Sequence, residues 1–126
     1  AQQKIPSYKI LENNTTYAFL DIYPISKGHT LVIPKKHSLN MLDTDDADLC
    51  AVNVMAKKIC LHYQKVLKVN DFLVKSHNGK LAGQEVDHFH LHIIPYYNEQ
   101  SQYTQRHKAS QKELANLQKT ITSHLL

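Results

Sequence analysis

The sequence predicts an α+β fold: a five-stranded antiparallel sheet covered by a long central helix, plus a C-terminal helix. Three observations lead to this prediction. Five short segments are rich in β-branched and aromatic residues, which is typical of strands. Residues 44–68 repeat apolar side chains every three or four positions, which is a helical period. The connections between the first strands are short, and short connections pair neighbouring strands antiparallel.

The N-terminal half supplies the first three strands. Residues 2–9 indicate a turn or a short helix, with Pro6 near the start. Asn13 and Asn14 indicate a hairpin turn, because asparagine tolerates positive φ. The predicted strands of this half are residues 8–12, 15–22 and 29–35.

The central helix is predicted over residues 44–68. Thr44 can cap its N-terminus, and aspartates follow in the first turn, where the helix dipole favours acids. Its apolar stripe, which should cover one face of the sheet, is Leu49, Val52, Met55, Ala56, Ile59, Tyr63, Val66 and Leu67. Cys50 and Cys60 lie about 15 Å apart on this helix, too far for a disulfide. Free thiols suit a reducing cytoplasm.

The C-terminal half contains the remaining elements. Residues 71–76 indicate a fourth strand, residues 77–87 a glycine-containing loop, and residues 88–95 a fifth strand. A final helix is predicted over residues 110–126, with the apolar stripe Leu114, Leu117, Ile121 and Leu125. The length fits one domain over residues 1–126. Its core is expected at about residues 5–97, followed by a C-terminal segment at about 98–126.

The fifth strand carries the run His88-Phe89-His90-Leu91-His92-Ile93-Ile94-Pro95. Strict alternation is the period of a strand, so the three histidines share one face and the apolar residues between them face the core. Pro95 has no N–H and should close the strand. Imidazole is a nucleophile, a general acid or base, and a metal ligand near neutral pH. Alternate residues of a strand lie about 6.6 Å apart, so two neighbouring histidines could chelate one metal ion, whereas all three could not.

Three separated segments together resemble one known family. The histidine run is similar to the signature of histidine triad (HIT) proteins, in which three histidines alternate with apolar residues. Ala82-Gly83-Gln84-Glu85-Val86 resembles the stretch that precedes that signature. Leu20-Asp21-Ile22, together with the segment 28–37, resembles the N-terminal half of the family, and the similarity covers about residues 5–97. The resemblance implies a HIT-like fold and a homodimer whose sheets join edge to edge.

The resemblance also implies a role for individual residues. His90 is the expected nucleophile, His88 and His92 are expected to flank phosphate oxygens, and His37 is expected to be a fourth, supporting histidine. Asp21 is expected to hold the ribose hydroxyls through a charge-assisted contact. The other expected nucleotide-binding residues are Phe19 and Ile22 at the base, and His77, Asn78, Gly83, Gln84 and Glu85 at the phosphate.

Three positions depart from the pattern of the family. His77 stands where an amide commonly contacts phosphate. A neutral histidine could donate one hydrogen bond there, a charged one would attract phosphate more strongly, or Asn78 could take the role by a shift of one residue. Asp87 precedes the first triad histidine and is expected to raise the pKa of a neighbouring histidine. Glu85 stands where some members use a hydroxyl. These departures leave the substrate preference undetermined, but they do not change the type of reaction that the resemblance implies.

The implied function is a nucleotide hydrolase or transferase that acts at the α-phosphate through a covalent nucleotidyl-histidine. Purine nucleoside phosphoramidates are the expected substrates. Dinucleoside polyphosphates are the alternative substrate class, and a non-catalytic nucleotide-binding adaptor module is the alternative without turnover. A metal-binding strand protein that uses two of the histidines is a third alternative. The scheme requires no cofactor, and Mg²⁺ would come only with a polyphosphate substrate.

Charge and hydropathy narrow the partners. The formal net charge of +4 favours anionic ligands weakly. The lysines are scattered rather than gathered in a patch with aromatic residues, which argues against nucleic acid. No apolar run approaches the roughly 20 residues of a membrane helix, and no signal-peptide pattern occurs. We therefore expect a cytoplasmic protein with a small-molecule nucleotide substrate. An exposed sheet edge on so small a domain favours a homodimer.

Overall fold

A computed structural model describes residues 8–98 and 108–123 of the chain. Residues 2–7 of the turn or helix predicted over residues 2–9, and the end of the predicted C-terminal helix, including Leu125, lie outside these ranges. Within them, the elements are β1 (Lys9–Glu12), β2 (Thr16–Leu20), β3 (Thr30–Pro34), α1 (Asp46–Val66), β4 (Asp71–Lys75), β5 (Leu91–Tyr96) and α2 (Gln111–Thr122). Short 3₁₀ helices at Met41–Asp43 and Lys80–Ala82 precede α1 and β5. The predicted fold class is confirmed.

The strands form one antiparallel sheet in the order β1-β2-β3-β5-β4. One row of directly paired residues crosses four of the strands: Phe19 pairs with Leu31, Leu31 with His92, and His92 with Lys75. Paired residues in antiparallel strands project from the same face. The row therefore places His92 in the middle of one face, between an aromatic side chain and a lysine.

The other face of the sheet is covered by α1. The residues of this helix that are buried against the sheet are Val52, Met55, Ala56, Ile59 and Tyr63, as the predicted stripe required. The Tyr63 hydroxyl lies 2.6 Å from the Thr30 hydroxyl of β3, and burial raises the pKa of Tyr63. Phe89, Leu91 and Ile93 join this core, which confirms that they face it.

The segment before α1 differs from the prediction. Thr44 does not cap α1; its hydroxyl donates to the Asn40 carbonyl at 2.7 Å, and Asp45 occupies the N-cap position. Asn40 and Asp43 cap the preceding 3₁₀ helix reciprocally. Thr44 therefore belongs to the preceding turn, where Asn40 and Asp43 form a capping box, whereas Asp46 and Asp48 lie in the first turn of α1, as predicted.

The turn after β1 occurs where it was predicted, but for a different reason. Among the described non-glycine residues only Lys68 has a positive φ, at 57°. Asn13 instead accepts hydrogen bonds at its Oδ1 from the backbone N–H groups of Thr15 and Thr16, each at 2.9 Å. The side chain thus replaces a backbone acceptor in the turn.

Helix α2 packs against both α1 and the edge strand β1. The Nε2 atom of His62 lies 2.7 Å from the Ile121 carbonyl, and the Gln118 amide donates to the Lys9 carbonyl at 3.0 Å. Leu114 and Ile121 are buried, so the predicted stripe is confirmed within the described part of α2. Cys50 and Cys60 are both free thiols. No helix in residues 8–98 or 108–123 is long and apolar enough to cross a membrane.

Candidate active site

The histidine run reaches the site partly outside regular strand geometry. Strand β5 begins at Leu91, so the prediction that it begins at His88 is wrong. The reason is that the Phe89 N–H donates to the Ser38 carbonyl at 2.9 Å, in the loop after β3, instead of to β3 itself. Side chains still alternate, because Phe89 is buried in the core.

The far end of β5 also differs from the prediction. Pro95 lies inside the strand, paired with Phe72 of β4. The side of Pro95 that faces β3 has no strand to pair with, because the pairing between β3 and β5 ends at Thr30 and Ile93. The Pro95 carbonyl accepts the Ser26 hydroxyl at 2.6 Å there. The missing N–H of Pro95 therefore removes no ladder hydrogen bond.

His90 is held in one tautomer by the backbone of the run. Its Nδ1 lies 2.8 Å from the His88 carbonyl oxygen. A carbonyl oxygen can only accept, so the proton of the neutral ring resides on Nδ1. Nε2 then carries the lone pair, and the ring is only partly buried. The neutral form of His90 therefore presents an oriented Nε2 lone pair that a substrate can reach.

His92 lies beside it and is kept neutral. Its ring centroid is 4.9 Å from that of His90. Its Nδ1 lies 2.9 Å from Nε2 of His29, whose Nδ1 accepts the Ile25 N–H at 2.9 Å. His29 therefore donates from Nε2, and the proton of His92 is directed to its own Nε2. Burial, assisted by the charges of His90 and other neighbours, lowers the pKa of His92 to about 3.

His88 and His37 form a second pair of rings. Nε2 of His88 lies 3.1 Å from the Pro34 carbonyl, so it donates there. Its Nδ1 is then an acceptor for Nδ1 of His37, 3.2 Å away. Burial lowers the pKa of His88, and the neighbouring charges of His37 and His90 lower it further. The expectation that Asp87 raises the pKa of a neighbouring histidine is therefore wrong for His88.

His77 projects toward the same cluster from the loop after β4. Its ring is edge-on to that of His92, with centroids 5.6 Å apart. Nδ1 of His77 lies 2.6 Å from the Ala82 carbonyl and donates to it. Its Nε2 can therefore donate to a phosphate only when the ring is protonated, which excludes the neutral donor and leaves the charged alternative for His77. Gly83 packs closely here, since a Cβ atom on it would lie 3.1 Å from Nδ1 of His77.

Two of the predicted phosphate-binding residues use their backbone N–H groups within their own loop instead. The N–H of Gly83 donates to the Lys80 carbonyl at 3.0 Å, and the N–H of Gln84 donates to the Gly79 carbonyl at 3.1 Å. These two groups are thus not free for a phosphate, which corrects the expectation for them. Glu85 is exposed, and its predicted role stays a prediction.

The side chains of Gln84 and Asn78 connect two loops. The buried amide of Gln84 donates to the Leu39 carbonyl at 2.6 Å and to the Val86 carbonyl at 2.9 Å. Oδ1 of Asn78 accepts the Met41 N–H at 2.7 Å. Both side chains hold the loop before β5 against the loop after β3. Because the Asn78 side chain is used in this structural contact, the geometry favours His77 over Asn78 as the group that faces a phosphate.

The predicted nucleoside residues lie at the other side of His92. The carboxylate of Asp21 accepts the Tyr23 N–H at 2.8 Å and lies 3.5 Å from Nε2 of His29. Phe19 is buried in the row that contains His92, and Ile22 is partly buried. A cavity of about 260 Å³ adjoins Asp21 between the loop after β2 and helix α2. The structure thus brings Asp21 next to the histidine cluster.

One group of side chains has the composition of a metal site. Ligand atoms of Asp21, His29 and His92 all lie within 4.8 Å of one another. The group nevertheless does not fit a cation, because the Ile25 N–H occupies Nδ1 of His29 and places the proton on Nε2. A protonated nitrogen cannot ligate a metal, and removing that proton would give an imidazolate. The arrangement is better described as a hydrogen-bond relay to His92.

Sequence reasoning missed two residues of this face. His29 had no assigned role, and Lys75 was read only as part of a strand. The signal was present, since period-two alternation puts His29 on the face of Leu31, and Lys75 on the face of His77. What the pattern could not give is the register that places both beside His92.

The fold and this cluster define a class: a small α+β domain that gathers several imidazoles at one face of an antiparallel sheet. The model of the HIT domain matches residues 2–99, so the chain belongs to the HIT domain family. The predicted family is thereby confirmed.

Individual relatives agree with this assignment. An uncharacterized HIT-like protein of Mycoplasma genitalium is 50% identical over 96 residues, which cover 76% of this chain and 68% of that protein. An adenosine 5'-monophosphoramidase of Saccharomyces cerevisiae is 42% identical over 100 residues, which cover 79% of this chain but only 61% of the yeast protein. The crystal structure of a hypothetical histidine triad nucleotide-binding protein from Sulfolobus tokodaii superposes with a TM-score of 0.86 at 32% identity, covering 95% of this chain and 84% of that one.

Proposed function

We propose that this protein hydrolyses small nucleotide substrates at the α-phosphate through a covalent nucleotidyl intermediate on His90, with purine nucleoside phosphoramidates as its substrates. One observation carries the proposal. The hydrogen bond from Nδ1 of His90 to the His88 carbonyl, at 2.8 Å, leaves the lone pair on Nε2. A fixed, neutral imidazole nitrogen beside another neutral imidazole is what attack on phosphorus requires.

In the first step, Nε2 of His90 forms a bond to the α-phosphorus and the bond from phosphorus to the leaving nitrogen breaks. The amine leaves with one proton taken from solvent. The ring of His90 is then cationic, and the His88 carbonyl stabilises it through the hydrogen bond to Nδ1. In the second step, water attacks phosphorus, the bond to His90 breaks, and one proton returns to solvent. The net reaction is hydrolysis.

His92 acts as a hydrogen-bond donor in this scheme. Its pKa of about 3 keeps it neutral at pH 7, and the relay from His29 keeps its proton on Nε2. A neutral imidazole cannot give up its remaining proton at this pH, so His92 stabilises charge on the phosphate oxygens rather than protonating the leaving group.

Asp21 and Phe19 support the nucleoside end of the proposal. The Tyr23 N–H donates to one oxygen of the Asp21 carboxylate, and we assign the ribose hydroxyls to the same carboxylate, since carboxylate oxygens accept more than one hydrogen bond each. Phe19 and Ile22 provide apolar surface for a base. The name of the yeast relative supports the choice of phosphoramidates over other nucleotides.

Hydrolysis of AMP phosphoramidate by the purified protein tests the proposal. His90→Ala should lower kcat by about 10⁴-fold or more, the scale on which loss of a nucleophile acts, and should leave AMP binding measurable by calorimetry. His62→Gln is the matched control, because it removes an imidazole from α1, and its amide can still donate to the Ile121 carbonyl. Full turnover in the His90→Ala variant would exclude His90 as the nucleophile.

We further propose that the active form is a homodimer joined through β4. The opposite edge, β1, is contacted by α2, whereas Leu73 and Val74 of β4 are 40% and 41% exposed. Analytical ultracentrifugation should give twice the mass of the chain, and Val74→Lys should shift the equilibrium toward the monomer. A wild-type monomer at micromolar concentration would contradict this proposal. The cytoplasmic location stays a prediction.

A further inference from the structure

Lys75 lies next to the candidate site without a role in the scheme above. It is the last residue of the edge strand β4, and it pairs directly with His92. Strand alternation places Leu73, Lys75 and then His77 on the face that carries His92. The edge-on contact of His77 with His92 agrees with this placement.

Within the part of the chain that the structure describes, the ammonium group of Lys75 has no anionic partner. The exposed lysines Lys35 and Lys36 form ion pairs with Glu12 and Asp45, each at 2.7 Å. Lys75 is only partly exposed, yet in residues 8–98 and 108–123 no carboxylate pairs with it. Partial desolvation of an unpaired charge is unfavourable, and an anion that arrives with a ligand would relieve it. Burial is the main cause of the low pKa of His92, and the charge of Lys75 lowers it further.

The order of the residues along the row gives the direction of a bound substrate. Phe19, Leu31, His92 and Lys75 lie on successive neighbouring strands, which are spaced about 4.8 Å apart. A nucleoside held near Phe19 and Asp21 puts its α-phosphate at His90 and His92. The next group of the substrate along the row then lies roughly 5 Å further, at Lys75 and His77.

We propose that Lys75, with His77 at its side, forms a subsite for an anionic group on the leaving-group side of the substrate. The favoured substrates are then nucleotides whose α-phosphate is linked to a second phosphate or to an amine that bears a carboxylate, in preference to a neutral leaving group. This inference deepens the proposed function and rests on it for the position of the α-phosphate.

A matched pair of substrates isolates the charge of the leaving group. AMP linked through nitrogen to glycine and AMP linked to glycinamide have nearly the same shape and differ in one carboxylate. In Lys75→Gln, the ratio of their kcat/KM values should fall about tenfold, as expected for one lost charge-assisted contact. Lys75→Arg should retain most of the ratio. Lys57→Gln, the same charge change on an exposed position of α1, should leave it unaltered.

Two further measurements complete the test. One asks whether a second phosphate can replace the carboxylate as the anion, and the other distinguishes failure of the subsite from failure of the proposed function. Diadenosine triphosphate, compared with AMP phosphoramidate, tests a second phosphate in the same variants. The ratio of ADP to AMP affinity, measured by calorimetry in the wild type and in Lys75→Gln, needs no turnover. It should fall about tenfold in the variant. An absence of turnover with a changed affinity ratio would therefore refute the proposed function and support the subsite.

Two results would overturn the inference. One is that the ratio of ADP to AMP affinity, and the kcat/KM ratios of the substrate pairs, are the same in the wild type and in Lys75→Gln. The other is an equal loss for glycine and glycinamide substrates, which would mean that Lys75 acts only through its field on His92. Salt gives a final check, because the preference of the wild type for the charged substrate should weaken at high ionic strength, while Lys75→Gln should have little preference to lose.

Discussion

The two faces of the sheet use the same strands for different purposes. On the face covered by α1, Val32 and Ile93 have no exposed surface and belong to one hydrophobic cluster. On the opposite face, Leu31 and His92, which are their neighbours in sequence, belong to the row that leads to Lys75. Period-two alternation thus separates stability from reactivity within single strands. Substitutions on the first face should change the free energy of unfolding, and those on the second should change activity.

The largest effect on stability is expected from Ile59→Ala. Ile59 is fully buried between α1 and the sheet, so truncation leaves a cavity and should lower the free energy of unfolding by about 2–5 kcal/mol. Chemical denaturation measures this change. Val54→Ala, at a position of α1 that is 55% exposed, is the control and should change stability by less than about 0.5 kcal/mol. A large loss of kcat in folded Ile59→Ala would break the separation between the two faces.

His29→Ala should have its main effect on catalysis. The variant loses the donor that fixes the tautomer of His92, and misplacement of one catalytic group costs up to about 100-fold in rate. We expect kcat to fall 10- to 100-fold, about the range of such positioning effects, with KM nearly unchanged. His29→Gln, which keeps an N–H donor, should recover part of the loss.

Ring-nitrogen NMR distinguishes a positioning role of His29 from a merely structural one. In the wild type, His92 should show a protonated Nε2 and an unprotonated Nδ1 at neutral pH. In His29→Ala, the two tautomers should mix. If kcat falls in His29→Ala while the tautomer of His92 is unchanged, His29 does not act through that proton.

Stability should also depend on pH through His92. An unfolded histidine titrates near pH 6.5, whereas burial lowers the pKa of folded His92 to about 3. Between these values the unfolded chain binds a proton that the folded chain does not, so stability is complete above pH 6.5 and falls as the pH decreases. The contribution lost between pH 6.5 and pH 5 is about 2 kcal/mol.

Comparison of the wild type with His92→Asn isolates this term. The free energy of unfolding of His92→Asn should decline less steeply between pH 6.5 and pH 5, whatever its value at pH 7. Parallel curves for the two proteins would mean that His92 titrates normally in the folded state, and the assignment of a permanently neutral donor would then be wrong.

The smallest expected effect comes from a turn that belongs to neither face. Asn13→Ala removes the acceptor of four hydrogen bonds from Thr15 and Thr16 and should lower the free energy of unfolding by about 1 kcal/mol. Asn14→Ala, one residue further along the turn, should change it by less than about 0.5 kcal/mol. Activity should be retained in both. Equal losses in the two variants would contradict the role given to Oδ1 of Asn13.

The sequence predicted the first face well and the second only in part. Alternation and helical period are local signals, so they placed Phe89, Leu91 and the stripe of α1 in the core. The tautomers of the histidines depend on partners that are distant in the sequence. The Pro34 carbonyl accepts a hydrogen bond from His88. The Ile25 N–H donates to His29, and His29 in turn donates to His92. No local pattern encodes such contacts.

The loop before β5 gives the same lesson. Its glycines and Gln84 resemble a phosphate-binding nest in sequence, because glycine allows backbone N–H groups to face an anion. In the fold, the N–H groups of Gly83 and Gln84 donate to carbonyl groups of the same loop. The Gln84 side chain donates to the Leu39 carbonyl in the loop after β3. Composition alone cannot decide whether a backbone donor serves a ligand or the chain.

The most direct test of the account is the mass of the intact protein during turnover of a slow AMP phosphoramidate, followed by peptide mapping. We expect an adduct heavier by one adenylyl group, located on His90 and absent in His90→Ala. An adduct on a lysine or on another histidine, or turnover with no adduct under conditions that preserve phosphoryl-histidine, would contradict it.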